Sequence, residues 1–333
     1  MQLFLDSYGA FLGTRDGMFH LRLRQAEDRS FPVRDVKIIM LAQGVSISAN
    51  AMRLAIENSI PIILLDRLEH PIGQVWSGQF GSIATIRKHQ ALWSTDVQGI
   101  NWVRSVLLRK LAGQLEVLLR ATADSMLDLG TEVGRIQRTY EQFSNWRYQG
   151  ELLPDIAATF RGWEGTASRF YFRGLAQLLP SPFYFSLRSR RPALDPFNAL
   201  LNYLYGFLYA QVELSLMKAG LDPYTGVLHA DEYKRPTLVF DVIELYRPWA
   251  ETVALQLCTS GTVNTGHFTD ATEKEGFYLQ AAGKPAVVNT MLSYLDEKMP
   301  LAGKNRSRRF KIDLDAQQLA QSLKDFTPLH RII

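Results

Sequence analysis

The sequence predicts an α+β fold: a small β-rich N-terminal domain over residues 1–82, sandwich-like with one packed helix, then a larger all-α domain over 83–333. Three observations lead there. Short apolar or alternating runs, separated by turn residues, fill the first ~80 positions. From about Ile83 the apolar spacing turns helical. Within the later part, Asp195–Gly220 reads as one long helix with both ends marked.

In order, Gln2–Leu5, Ala10–Thr14, Met18–Leu23 and Val36–Leu41 read as strands. Asp16-Gly17 between two of them is a hairpin signal, because both residues tolerate the positive φ of a tight turn. Ser48 can cap a helix whose inner face is Met52, Ala55 and Ile56. Ile60–Leu65 reads as a buried strand and Gly73–Ser77 as another, with a short linker at Gly78–Ser82. Ile100–Ala123 then carries Val103, Val106, Leu107, Leu111, Leu115, Leu118 and Leu119 as one amphipathic stripe. Glu164–Leu179 is the next helix, with Ala167, Phe170, Tyr171, Gly174 and Leu175 facing inward. A Pro/Arg-rich loop, Pro180–Pro192, leads to Asp195 as N-cap, Pro196 at the first helical position and Gly220 as the stop. A basic loop precedes a last helix, Asp313–Phe326.

A chain of 333 residues with 47% hydrophobic and 21% charged content can bury a large core in two domains. Apolar runs such as Ile60–Leu65 are far too short to cross a bilayer, and the N-terminus lacks signal-peptide architecture. The lone Cys258 has no intramolecular disulfide partner, which points to the cytoplasm. Net charge is +4, and residues 1–80, with eight Lys/Arg and eight Asp/Glu, contribute none of it. The excess belongs to the later part, where Arg188, Arg190 and Arg191 form one cluster and Lys304, Arg306, Arg308, Arg309 and Lys311 another. Such clusters suit phosphate backbones, with a solubilising surface as the plainer alternative.

The residues with most chemistry lie at His229 and in Arg235–Pro248. On a helix, Asp241 and Glu244 share one face while Leu238, Val242, Leu245 and Trp249 make a core stripe. Two carboxylates and an imidazole suit Mg²⁺ or Mn²⁺. A solvated helix face beside a loop histidine accounts for the same residues, since D-x-x-E recurs widely. Glu164, read as standing in the first turn of its helix, is either a dipole-stabilising acid or a third ligand from a distant part of the chain. No phosphate-binding glycine loop, dinucleotide fingerprint or nucleophile elbow occurs. His20, His70, His89, His267 and His330 are isolated and read as surface or packing residues.

Several ordered blocks resemble the CRISPR-associated integrase/endonuclease family of spacer acquisition, over about residues 2–300. They are Gly44–Leu54, Ile60–Asp66, Trp163–Phe172, Asp195–Tyr203, Ala219–His229 and Arg235–Pro248. The resemblance implies a β-rich domain joined to a helical catalytic one, a homodimer, and a small ferredoxin-like partner protein. It also implies Glu164, His229 and Glu244 as metal ligands, with Asp241 as a further acidic position that orients a ligand, holds water or coordinates. One departure is Glu251, where the family commonly has Asp. The implied activity is metal-assisted insertion of short DNA fragments (prespacers) at a CRISPR repeat by in-line transesterification. That exchange breaks and makes one phosphodiester and needs no external energy source. A branched-DNA or general metal nuclease would use the same residues. A DNA-binding scaffold would have no need of them.

Overall fold

The computed structural model describes residues 1–24, 26–65, 71–75, 83–123, 127–229, 235–269, 276–301 and 303–329. The chain divides into two compact units, Met1–Thr85 and Ile86–Ile333. The expected linker at Gly78–Ser82, and with it His70 and His330, lies outside the described residues.

In the first unit the strands are β1 (Gln2–Leu5), β2 (Phe11–Arg15), β3 (Met18–Arg22), β4 (Arg29–Phe31), β5 (Ile38–Leu41) and β6 (Ser46–Ile47). Helix α1 (Ala49–Glu57), β7 (Ile62–Leu65) and β8 (Pro71–Val75) follow. They form two four-stranded sheets, ordered β1-β5-β7-β8 and β4-β3-β2-β6. Asp16 and Gly17 turn the β2–β3 hairpin at φ 51° and 72°, pairing Arg15 with Met18. β5 runs parallel to both β1 and β7 and is buried at every residue, which is why Ile-Ile-Met-Leu is continuous rather than alternating. Leu3, Leu12, Phe19 and Ile39 from the two sheets meet Ala51 and Ala55 of α1 in one core. Ser48 caps that helix, its Oγ accepting the Ala51 amide at 3.1 Å.

The second unit begins within α2 (Ile83–Trp93) and continues through α3 (Val97–Thr122), α4 (Gly130–Asn145), α5 (Leu153–Gln177) and α6 (Pro196–Lys218). Then come α7 (Thr237–Ile243), α8 (Arg247–Thr259), α9 (Lys284–Asp296), β9 (Lys298–Leu301), β10 (Lys304–Ser307) and α10 (Arg308–Lys324). The antiparallel β9–β10 ribbon departs from an all-α domain. Its second strand, Lys-Asn-Arg-Ser, carries no apolar pattern, and Gly303 at φ 76° allows the turn. The ends of α6 fall where Asp195, Pro196 and Gly220 mark them.

Three expectations need correction. Glu164 stands in the middle of α5, not in a first turn, because Pro154 starts the helix and Ile156, Ala157 and Phe160 begin its buried stripe. The segment Arg235–Pro248 is two helices, since Pro248 lacks an amide hydrogen and its ring would crowd the carbonyl of Glu244. Arg308 and Arg309 open α10, which starts at a Ser307 cap rather than at Asp313.

Candidate functional site

The loop ending at His229 is fixed from beneath. Buried Gln90 of α2 donates to the carbonyls of Asp222 and Thr225 at 2.8 and 2.9 Å and accepts the Asp222 amide at 2.9 Å. Thr237 Oγ1 donates to the Tyr224 carbonyl at 2.7 Å and accepts the Gly226 amide at 3.0 Å. A Cβ on Gly226 would stand 2.8 Å from the Thr237 carbonyl carbon, so glycine is what lets this loop lie on α7.

Asp241 completes the hold. Its Oδ2 accepts the amides of Val227 and Leu228 at 2.7 and 3.1 Å, and its Oδ1 accepts the His229 amide at 3.3 Å. His229 Nδ1 lies 2.6 Å from the same Oδ1. A carboxylate that already accepts three amides accepts the Nδ1–H as a further donor, which leaves the lone pair of the imidazole on Nε2. Asp241 is 2% exposed, while the His229 side chain is 36% exposed. The pair is therefore a buried anchor carrying a half-open imidazole, not a solvated helix face.

Glu244 and Glu164 are brought together by a lysine. Glu244 ends α7, where Arg247 Nε donates to its Oε1 at 2.7 Å and Lys110 Nζ lies 2.5 Å from its Oε2. Lys110 also donates to Glu164 Oε1, which accepts the Ser168 hydroxyl at 2.6 Å. The meeting of α3 and α8 arranges this: a Cβ on Gly113, one turn after Lys110, would lie 2.9 Å from the Pro248 ring. On α5, Trp163 packs edge-on to Phe143 at 5.2 Å and stacks with Phe160 at 5.9 Å, fixing the turn that presents Glu164. Burial alone would raise the Glu244 carboxyl, but Arg247 and Lys110 hold it at about 2. Burial likewise opposes ionisation of Glu164, and Lys110 brings its pKa below the usual range. Both glutamates are therefore ionised across the neutral range.

Glu164 and the two cations that meet Glu244, Lys110 and Arg247, line a cleft of about 850 Å³ together with Gln114 and Glu251, with Phe170, Phe172 and Tyr205 among its walls. Arg169, Arg173, Arg188 and Arg190 also line it. Arg188 is tied internally, donating to Asn198 and Asn202 at 2.8 and 2.6 Å. Arg173 donates to Glu132 at 2.7 Å. Arg169 and Arg190 are exposed and have no acidic partner among the described residues. Arg191 is exposed and is not one of the cleft-lining residues. In the later cluster, Arg306 is exposed on β10, but Arg308 pairs with Glu297 at 2.5 Å, Arg309 with Asp296 at 3.0 Å, and Lys311 with Asp315. Glu251 is fully buried, accepts the Tyr205 hydroxyl at 2.5 Å, and has its pKa raised by burial.

The structure thus joins His229 to Asp241, and Glu164 to Glu244 through Lys110. Among the described residues, no three His, Cys, Asp or Glu side chains form a group that could hold a metal ion. The donor chemistry nonetheless fits a hard divalent cation: two ionised carboxylates share one positive charge, and among the described residues the second nitrogen of the imidazole has no partner. Sequence reasoning missed Lys110, Arg247 and Arg169. Lys110 had a signal, because it and Gln114 interrupt the apolar stripe of α3 at core-facing positions. Arg247 shows only as half of an Arg-Pro pair, and Arg169 as one of several arginines.

Ionised acids beside a cationic, aromatic cleft have the make-up of a nuclease site. The chain belongs to the CRISPR associated protein Cas1 family, whose model matches residues 3–292. A CRISPR-associated endonuclease Cas1 from Archaeoglobus fulgidus is 25% identical, aligned over 97% of this chain and 96% of its own length. In fold, the chain resembles a casposase bound to integration product, with TM-score 0.74, 20% identity and coverage of 97% and 95% of the two chains. It also resembles a chain of a partial Cas6-RT-Cas1–Cas2 complex, with TM-score 0.76, 20% identity and coverage of 98% and 96%.

Proposed function

We propose that this chain is a divalent-metal-dependent DNA endonuclease and integrase that inserts short DNA fragments into a CRISPR array. The observation that carries the reading is the gathering of Glu164 and Glu244, from separate helices, around one positive charge beside the arginine-lined cleft. Family membership sets the substrate class.

Glu164, His229 and Glu244 would hold Mg²⁺ or Mn²⁺. When bound, that ion supplies Lewis acidity at the scissile phosphate and at the departing 3′-oxygen. Asp241 keeps the His229 Nδ1 proton and so directs Nε2 outward. Arg247 donates to Glu244 and, through a second nitrogen, to Tyr209 at 2.9 Å, fixing the carboxylate's rotation. Arg169 and Arg190 supply a sequence-independent hold on DNA phosphates.

The partners proposed are prespacer and repeat DNA, a second copy of this chain, and the small ferredoxin-like adaptation protein. The similar Cas1 chain solved in a complex with Cas2 supports the last. Zero net charge over residues 1–80 fits a role in assembly better than in DNA binding. No described helix is long and apolar enough to cross a membrane, and the single Cys258 suits a reducing cytoplasm.

The test is joining of labelled oligonucleotides into a repeat-containing plasmid, in Mg²⁺ or Mn²⁺ and with the partner protein. Joined product that depends on Glu164 supports the proposal. Cleavage without joining would assign the site to a nuclease with no integration role.

A further inference from the structure

Lys110 is used nowhere in the reaction described above, yet it is 3% exposed and stands between the two glutamates. Two ionised carboxylates repel unless a cation separates them. Arg247 does not fill that place: it serves Glu244 Oε1 at 2.7 Å, stacks on Tyr205 at 4.6 Å and donates to Tyr209. Glu244 Oε2 is buried and makes no hydrogen bond of good geometry, meeting the Lys110 ammonium 2.5 Å away as an ion pair. A point flanked by two carboxylate oxygens is also where a divalent cation gains most. The ammonium and the metal therefore compete for one place.

Their means of leaving differ from those of the neighbouring arginine. A lysine ammonium is a compact charge on a flexible four-carbon stem, whereas a guanidinium held on several sides is not free to turn. The cleft of about 850 Å³, which Lys110 itself lines, gives the stem room to rotate. We propose that Lys110 is a built-in competitor of the metal, holding Glu164 and Glu244 together in the metal-free protein and yielding its place when the ion binds. The inference rests on the reading of Glu164, His229 and Glu244 as metal ligands.

The experiment is calorimetric titration of Mn²⁺ into the full-length chain, with thermal melting in and out of Mn²⁺. Lys110→Met keeps the length of the stem and removes the charge. It should melt lower than wild type without metal, recover in Mn²⁺, and bind Mn²⁺ about tenfold tighter or more, because buried carboxylates that have lost their partner gain most from a new cation. Lys110→Arg retains the charge on a fork that grips carboxylates more firmly, so it should bind Mn²⁺ more weakly than wild type. This second variant stays informative if the first does not fold without metal. Glu244→Gln locates the binding by abolishing it. Equal or weaker affinity in Lys110→Met, or tighter affinity in Lys110→Arg, would overturn the competitor role while Glu244-dependent binding by wild type left the metal site standing. Absence of Mn²⁺ uptake in wild type and Lys110→Met alike would overturn both.

Discussion

Asp241 and His229 are joined by a 2.6 Å contact between Oδ1 and Nδ1, and three backbone amides of the His229 loop converge on the same carboxylate. Among the described residues, the donors that meet Asp241 all belong to this loop, so its task is to anchor the loop and aim the imidazole. Asp241→Asn would set amide hydrogens against amide hydrogens on one side of the group. We expect a stability loss of about 1–3 kcal/mol, the cost of buried donors left without acceptors. Strand transfer should fall about 10–100-fold, as when a metal ligand loses the group that orients it. Denaturant melts and joining rates check both. Unchanged stability with complete loss of Mn²⁺ binding would instead make Asp241 a direct ligand.

Glu164 and Glu244 should separate in a way that the metal-ligand role proposed for both would not suggest. Glu244 is compensated by two buried cations, Lys110 and Arg247, and its removal leaves both with one partner fewer. Glu244→Gln should abolish strand transfer and also destabilise the fold by about 3–5 kcal/mol, the range for breaking a buried ion pair. Glu164, with 27% of its side chain exposed, faces the cleft and has a hydroxyl partner in Ser168. Glu164→Gln should abolish strand transfer with a much smaller drop in melting temperature. Equal destabilisation by the two variants would contradict this division.

The features legible in the sequence were those written in local chemistry. Asp16-Gly17 demands its hairpin, Asp195-Pro196 starts α6 and Gly220 stops it, and the α3 stripe follows from spacing alone. The parallel pairing of β5 with β1 and β7 was not legible, because a run such as Ile38–Leu41 fits many partners. Asp241 and Glu244 look equivalent at a spacing of three, yet one accepts the amides of a loop and the other meets Lys110 from α3. That difference is set by which helix packs behind each. The helix break at Glu244 was within reach, since Pro248 lies four residues later and excludes its carbonyl from a continuing helix.

Cys258 gives a prediction about pH. Burial pushes its thiol up to about 12, whereas an unfolded cysteine ionises near ~8.5. Because the folded value is the higher one, any stability from this thiol is complete below ~8.5 and is lost as pH climbs toward the folded value. At a pH between the two, the native thiol should react with iodoacetamide only as fast as the chain opens, while urea-unfolded protein reacts at once. Rapid alkylation of the native chain at that pH would show that Cys258 is open to solvent.

The last prediction separates the arginines that grip DNA from those that hold the fold. Arg169 and Arg190 line the cleft, are exposed and lack acidic partners among the described residues, so their charge is available to phosphates. Replacing both with alanine should weaken binding to unrelated duplexes alike and reduce the log–log salt slope by about two, roughly one for each phosphate no longer neutralised. Arg308 and Arg309 are engaged by Glu297 and Asp296, and their replacement should change that slope less. Arg188 is different again, because its guanidinium holds Asn198 and Asn202 at the start of α6. Arg188→Ala should lower the melting temperature before it alters DNA affinity. An Arg169/Arg190 double variant with unchanged affinity and salt slope would remove this cleft from the DNA path and turn attention to Arg306 on the β9–β10 ribbon.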